Sequence, residues 1–360
     1  MDNKPILIIG LTAQGLSLLR TLSRANCEVI AFYSDRKNVG AKSGYGDKRY
    51  FVDLGQLRRE IDSLAEQYGN DLLCYITSGG ALVEILTDFP DLWDLCDVIS
   101  GPRETVSRMA HKDYLYQLAV GCDFIVPKYG LLSEYRQGSL RFPVFLKRNY
   151  EIPLFFKAAK ADAHEQLEKD YIRRMSRYER ENVIVQECIP INEHSMDLTA
   201  QSFYCDGKAN EFFIGWQKRK TCNGLTSCLE ELDRGSLYER IRSQCTKYML
   251  QTDYTGFAEF EFIYDPDTYS LFFLEINTRP CGTQSVMDYK FSNLADVLLR
   301  PHAPPLLQSR TDKPVRWMNI VRDIRVRFQR KVFSDLTDIF HSQFDVLRKD
   351  DPMPFLRQFI

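Results

Sequence analysis

The residues best suited to chemistry crowd into one stretch, EFEFIYDPDTYSLFFLEINTRP, residues 259–280. Read as two strands joined by a turn, its side chains alternate between faces. Glu259 and Glu261 then share a face, with Ala258, Phe260 and Phe262 opposite. On the second strand Phe273, Glu275, Asn277 and Arg279 share a face, with Leu274 and Ile276 behind. A five-residue loop, 266–270, sets Glu261 directly opposite Glu275. Like charges so placed destabilise a hairpin, and a hard divalent cation removes the conflict. Mg²⁺ takes oxygen ligands, typically one or two carboxylates completed by substrate phosphates and water. Glu261, Glu275 and Asn277 offer three such donors, and Arg279 can meet a phosphoryl group or a carboxylate with a bidentate fork. A solvated outer face would account for a pair of glutamates. It does not account for E-I-N-x-R, because Asn is a poor strand former.

Such a hairpin needs a framework. PILII, the following GLTAQGLSLLRTLSRAN and then CEVIAFYS read as strand, glycine-rich turn with helix, and strand. LLCYITSGG and ALVEILTDF repeat the pattern, so the first ~100 residues are expected to form a doubly wound parallel sheet. GLTAQG lacks the middle glycine of a dinucleotide fingerprint and is read as a structural turn. GPRETVSRMAHKDYLYQLAVGC is a helix-rich link, in which His111 is given a structural or capping role. RFPVFLKRN opens a second β-containing section, AHEQLEKDYIRRMSRYERE is one charged amphipathic helix with i, i+4 ion pairs, and NVIVQECIP is a strand. DLTAQSFYCDGKANEFFIGWQKRK is a hairpin about a DG turn. The tail, 312–360, carries a helical period.

Composition narrows the class. The chain has 360 residues, 44% hydrophobic and 27% charged, with a formal net charge of −2. That size suits two or three domains, and that charge gives no global attraction to nucleic acid or an acidic membrane. WQKRK, with few interleaved aromatics, is read as a solvated basic face rather than an RNA patch. No stretch approaches the ~18 apolar residues of a membrane span, and the start does not read as a signal peptide. Ten scattered Cys and five scattered His match no zinc spacing, so a cytoplasmic protein with reduced thiols is expected.

Four motifs in order resemble the ATP-grasp superfamily. GFAEFEF…LFFLEINTRP resembles its metal-binding hairpin, FPVFLKRN its P-V-x-x-K strand, VIVQECIP its adenine-lining hinge, and MAHKDYLYQLA the segment that carries an earlier phosphate-contacting Lys. The ending DDPMPFL resembles that of a bacterial subgroup of carboxylate–amine ligases that includes D-aspartate ligase-like enzymes. The resemblance implies a Rossmann-like α/β domain at 1–105, a two-subdomain ATP-grasp fold at 106–305 with a lid at about 140–190, and a helical C-terminal extension at 306–360. It implies ATP and Mg²⁺, with Mn²⁺ as an alternative, and it assigns Glu261, Glu275 and Asn277 to the metal. Lys112 and Lys147 are assigned to phosphates, Gln186, Glu187 and Ile189 to adenine, and Glu193, by a looser match, to ribose. Arg279 is assigned to the acyl-phosphate step. Lys218 and Lys220 match a basic pair in which relatives often carry Arg second, and a Lys there is a point charge without Arg's fork.

Two departures stand out. RNYEIPLFFKAAKADAHE lacks the small-residue flap over the phosphates, for which Lys157 is a partial substitute, and ITSGG lacks the acidic residue many relatives carry after T-S. The expected activity is ADP-forming amide synthesis from a small-molecule carboxylate and an amine, such as an amino acid or amino-bearing metabolite. The alternatives are an ATP-binding regulator and a carboxylate kinase or carbamoyl-phosphate-type enzyme. The oligomeric state, monomer or homodimer, stays open.

Overall fold

A computed structural model describes residues 5–150, 154–156, 158–332 and 336–359. The chain divides into two compact units, one of residues 1–105, 198–259 and 277–360, the other of residues 106–197 and 260–276.

In the first unit the apolar run Ile6–Ile9 is entirely buried and becomes the centre of a five-stranded sheet. The strand order is Lys48–Phe51, Val29–Tyr33, Ile6–Ile9, Leu73–Ile76, Asp97–Val98, and every pairing is parallel. That is the expected parallel sheet, here within a unit that also takes in residues 198–259 and 277–360. The GLTAQG turn is a packing device. A Cβ on Gly15 would lie 2.0 Å from the Gly10 carbonyl oxygen, so helix Ala13–Ser23 can start this close to the strand only with glycine there. The unit's core joins Ile6, Leu18, Leu22 and Val29 with Phe203, Phe213, Phe257, Val286, Met287 and Trp317.

An eight-stranded sheet follows the order Ser270–Asn277, Gly256–Asp265, Met196–Cys205, Phe213–Lys220, Thr226–Glu231, Arg316–Met318, Gln343–Phe344, with Lys208–Ala209 on Met196–Cys205. The DG turn forms as expected. Asp206 and Gly207 have φ of 47° and 74°, the primed-turn region that matches strand twist.

The tail is helical only in part. Helix Ile320–Arg330 forms, but Arg316–Met318 pairs antiparallel with Thr226–Glu231, and Gln343–Phe344 pairs parallel with Arg316–Met318. Burial decides this: Trp317 is fully buried and its indole donates to Ser285 Oγ at 2.7 Å, which a solvated helix would not allow. The ending has a structural duty too. Asp351 accepts from Arg20 Nε at 2.9 Å, Ser43 Oγ at 2.7 Å and Gly44 N at 2.8 Å.

The second unit holds a four-stranded sheet ordered Tyr129–Leu131, Val183–Glu187, Val144–Arg148, Ala158–Ala161, all antiparallel. The single charged helix expected over residues 163–181 is broken into His164–Asp170, a 3₁₀ turn Ile172–Arg174, and Arg177–Glu181. Ser176 and Glu179 form a reciprocal capping box, and a capping box starts a new helix rather than continuing one. The expected i, i+4 pairing survives in Arg177–Glu181 at 2.9 Å.

No helix among the described residues is long and apolar enough to cross a membrane. All ten cysteines are free.

Candidate active site

The hairpin departs from simple alternation. Its connection is residues 266–269, one shorter than expected, because Ser270 already belongs to the strand. Phe273 packs on Phe260 and Phe262, with ring centroids 6.3 and 6.2 Å apart, and on Phe124 at 5.3 Å. The aromatic residues of both strands therefore share a face, which corrects the placement of Phe273 with the polar residues. Along the second strand the buried positions are Leu271, Phe273 and then Ile276. The alternation changes phase after Phe273, and Glu275 and Asn277 are left half-buried.

In the second unit several candidate side chains gather around Tyr116, on helix Lys112–Gly121. Asn149, at the end of the FPVFLKRN motif, seats that helix: its side-chain oxygen accepts from Asp113 N at 2.9 Å and its carbonyl from Lys112 N at 3.0 Å. Lys112 Nζ lies 3.4 Å from Glu275 Oε2. Tyr116 Oη is 2.8 Å from Gln186 Oε1 and from the Leu274 carbonyl, and Lys147 Nζ donates to it at 3.3 Å. Burial, then the Glu275 carboxylate, push the Tyr116 phenol well up, so it stays a neutral donor. Lys112, Lys147, Gln186 and Glu275 thus meet around a tyrosine that sequence reading missed. Its signal was a short helix, opened by Lys112, that carries two tyrosines, Tyr114 and Tyr116, of which Tyr116 is buried. His111 is structural: its ring stacks on Tyr150 at 4.6 Å and its Nδ1 meets the Ser107 carbonyl at 3.0 Å.

The hinge strand divides by alternation. Gln186 is buried toward Tyr116, whereas Glu187 and Ile189 line a cavity of about 540 Å³ with Val126, Lys128, Leu140 and Phe272. Burial pushes the Glu187 carboxyl up, but Arg141 Nη2 at 2.9 Å and Arg141 N at 3.0 Å outweigh it and hold the group below the usual range. Glu193 is almost fully exposed beside His194 and joins neither group. Lys157 lies outside the described residues.

In the first unit Arg279 Nη2 donates to Asn277 Oδ1 at 3.1 Å, and Asn277 Nδ2 donates to Glu259 Oε2 at 3.2 Å. The buried Glu259 also accepts from Thr199 Oγ1 at 2.8 Å. Burial raises its carboxyl, against the opposing hydrogen bond from Thr199 and charge of Arg279. Glu259 was visible in sequence as the first acid of the hairpin, and the structure makes it the residue that fixes Asn277. A Cβ on Gly79 would stand 3.3 Å from Arg279 Nε, so the acidic side chain missing from ITSGG leaves its place beside this guanidinium.

Lys218 lies within an ion cluster. Its Nζ is 3.3 Å from Asp338 Oδ2 and 3.7 Å from Glu230 Oε2. Between the basic pair, buried Arg219 clasps Asp323 at 2.7 Å and Asp338 at 2.9 Å, while Arg316 joins Glu230 and Asp338, each at 2.7 Å. WQKRK is therefore not simply a solvated face. The strand shifts register between Gln217 and Arg219 and again between Arg219 and Lys220. Lys220 is half-buried.

By residue type alone, half-buried Glu261 and Glu275 of the second unit and Asn277 of the first are oxygen donors of the kind a hard cation takes, without sulfur or imidazole. Among the described residues no three His, Cys, Asp or Glu are grouped to hold a metal.

Residues 230–288 match the family described as carbamoyl-phosphate synthase L chain, ATP binding domain. No curated protein matches the sequence. Among solved structures the chain is similar to an ADP complex of purK, N5-carboxyaminoimidazole ribonucleotide synthetase (TM-score 0.69, 14% identity, 92% of this chain and 85% of that one). It is similar to L-amino acid ligase from Bacillus licheniformis (0.64, 13%, 85% and 76%). The biotin carboxylase domain dimer of Hydrogenobacter thermophilus 2-oxoglutarate carboxylase, with MgADP, ADP and bicarbonate, is a third (0.67, 15%, 87% and 73%). The chain thus has the ATP-grasp fold that its four ordered motifs resemble.

Proposed function

We propose that the protein is an ATP-dependent ligase that joins a carboxylate to an amine through an acyl phosphate, releasing ADP and phosphate. The observation that carries the reading is the E-x-N-x-R strand within the ATP-binding-domain match, with Asn277 held between Glu259 and Arg279. Relatives in fold that are complexed with ADP or MgADP, or named as an amino acid ligase, support it.

In this reading ATP is a substrate. Lys112 and Lys147 bind its phosphates, Gln186, Glu187 and Ile189 its adenine, and Glu193 its ribose. A carboxylate oxygen of the first substrate attacks the γ-phosphorus in line and ADP leaves. Arg279 offsets charge on the transferring group. The amine then attacks the acyl carbon, phosphate departs, and the amine's proton passes to solvent. Bound Mg²⁺ would neutralise phosphate-oxygen charge, and Glu261, Glu275 and Asn277 are the donors that would hold it. Lys112 and Glu275 lie 3.4 Å apart, each about a quarter exposed, and phosphate and metal would take over the charges that this pair now balances. Lys218 and Lys220 are assigned to catalysis beside Arg279, and Lys218 also answers two carboxylates.

The test follows label. With an oxygen-labelled carboxylate, one labelled oxygen should appear in the released phosphate, and hydroxylamine should trap the acyl group as a hydroxamate when the amine is withheld. Product formed with no label in phosphate would refute the mechanism.

A further inference from the structure

A cavity of about 710 Å³ lies within the first unit, and none of the residues assigned above is among those that line it. Lys37, Arg322, Arg325 and Arg357 line it, with the polar side chains of Thr221 and Asn223, and no Asp or Glu is among its lining residues. These cations come from four places in the sequence: the loop after strand Val29–Tyr33, the first and second turns of helix Ile320–Arg330, and the final 3₁₀ turn Arg357–Phe359.

Several buried or half-buried cations of the same unit are matched by carboxylates: Arg20 by Asp351, Lys290 by Glu231, Arg219 by Asp323 and Asp338, Arg316 by Glu230. Around the cavity, Lys37, Arg325 and Arg357 form no ion pair among the described residues. Arg322 donates to the Thr226 carbonyl. The carboxylate that acts on Arg322, Asp345, is itself buried and bonded to Ser285 at 2.9 Å and Asn319 at 3.2 Å. Burial lowers the Arg322 pKa, so its charge is held at a cost until an anion arrives. Four cations lining one cavity repel one another, and no carboxylate of the lining offsets that cost.

We propose that this cavity binds a small phosphate ester, its phosphate facing the four cations and its organic part filling the remaining space. A phosphate monoester carries nearly two charges and three acceptor oxygens, where a single carboxylate would leave most of the positive charge unanswered. Three of the four cations are Arg, whose fork matches phosphate bidentately. The volume is that of a small-molecule pocket rather than a site for one inorganic ion. The site stands independently of the ligase reading.

Isothermal titration of the full chain, free of nucleotide and at fixed ionic strength, tests this with inorganic phosphate, glucose 6-phosphate and citrate. Phosphate should bind and glucose 6-phosphate more tightly. Arg325→Glu and Arg357→Glu should each weaken both by about tenfold or more, with circular dichroism confirming the fold. Arg177→Glu, on a surface helix of the other unit, should change nothing. Arg325→Gln, which removes charge without adding a carboxylate, must also weaken binding, and it serves if the reversal does not fold. Absent binding of phosphate, or binding undiminished in the Arg325 and Arg357 variants, would overturn the site. Citrate binding as tightly as glucose 6-phosphate would overturn its preference for phosphate.

Discussion

Two basic regions of the first unit are built on opposite principles. Around Arg219, four cations (Lys218, Arg219, Arg316 and Arg327) meet three carboxylates (Glu230, Asp323 and Asp338). The 710 Å³ cavity gathers four cations with no carboxylate in its lining. Buried charge is tolerated when it is paired and hydrogen-bonded, so the first cluster is complete as it stands and ties the strand Phe213–Lys220 to the tail. In the second, no carboxylate of the lining answers the cations. Density of Lys and Arg along the chain pointed to WQKRK, where the charge is largely answered. The unanswered charge is dispersed over more than 300 positions of sequence, from Lys37 to Arg357.

The sharpest way to break this contrast is to remove one charge from each region. Asp323→Ala strips a fully buried carboxylate from Arg219 and Arg327, and urea denaturation should show a loss of ~3–5 kcal/mol. Arg325→Ala, in the cavity, should change stability by no more than ~0.5 kcal/mol or raise it slightly. Comparable losses in both would erase the distinction.

The Lys112–Glu275 pair offers a second contrast, an open ion pair assigned to catalysis. Glu275→Gln should cut Mg²⁺-dependent turnover by ~100-fold, about 2.7 kcal/mol of transition-state stabilisation, while the melting temperature holds. Lost stability with activity per folded molecule retained would put Glu275 with the structural charges. Lys147→Ala should weaken ATP binding by roughly tenfold, about 1.4 kcal/mol, in calorimetry. Unchanged affinity would leave Lys147 as a strand residue that merely donates to Tyr116.

The smallest effect is in acid. Burial pushes the Asp338 carboxyl up, but Arg219, Lys218 and Arg316 outweigh it and hold it below the ordinary Asp value. A depressed folded pKa contributes stability above the unfolded value of about 3.9, lost as pH falls through the folded value. Asp338→Asn should therefore flatten the stability–pH curve below pH ~4 and leave its slope near neutrality unchanged. An unaltered acid limb would mean Asp338 is not strongly paired in solution.

Legibility in the sequence followed locality. The parallel sheet was readable because each buried strand and its helix are contiguous, and the DG turn because Asp206 and Gly207 alone set the chain reversal. The broken helix at Ser176 carried its own S-x-x-E signal, which the charge pattern masked. The strands Arg316–Met318 and Gln343–Phe344 were not readable, since three and two residues show no period and their partners are distant. In the candidate site, residue types were legible from the hairpin, but the burial of Phe273 was not, because Phe124 packs on it from another segment. Tyr116 and Glu259 escaped assignment for a related reason: their importance lies in what they touch, Lys147 and Gln186 in one case and Asn277 in the other.

The central claim is carboxylate activation at the γ-phosphate, and product stoichiometry reaches it most directly. The chain is incubated with Mg²⁺ and ATP across pairs of amino acids and amines, and adenine nucleotides, phosphate and pyrophosphate are counted as the coupled product appears. The account predicts ADP and phosphate in equal amounts with one amide formed per ADP, dependent on both substrates. Accumulation of AMP and pyrophosphate would place attack at the α-phosphorus and contradict it.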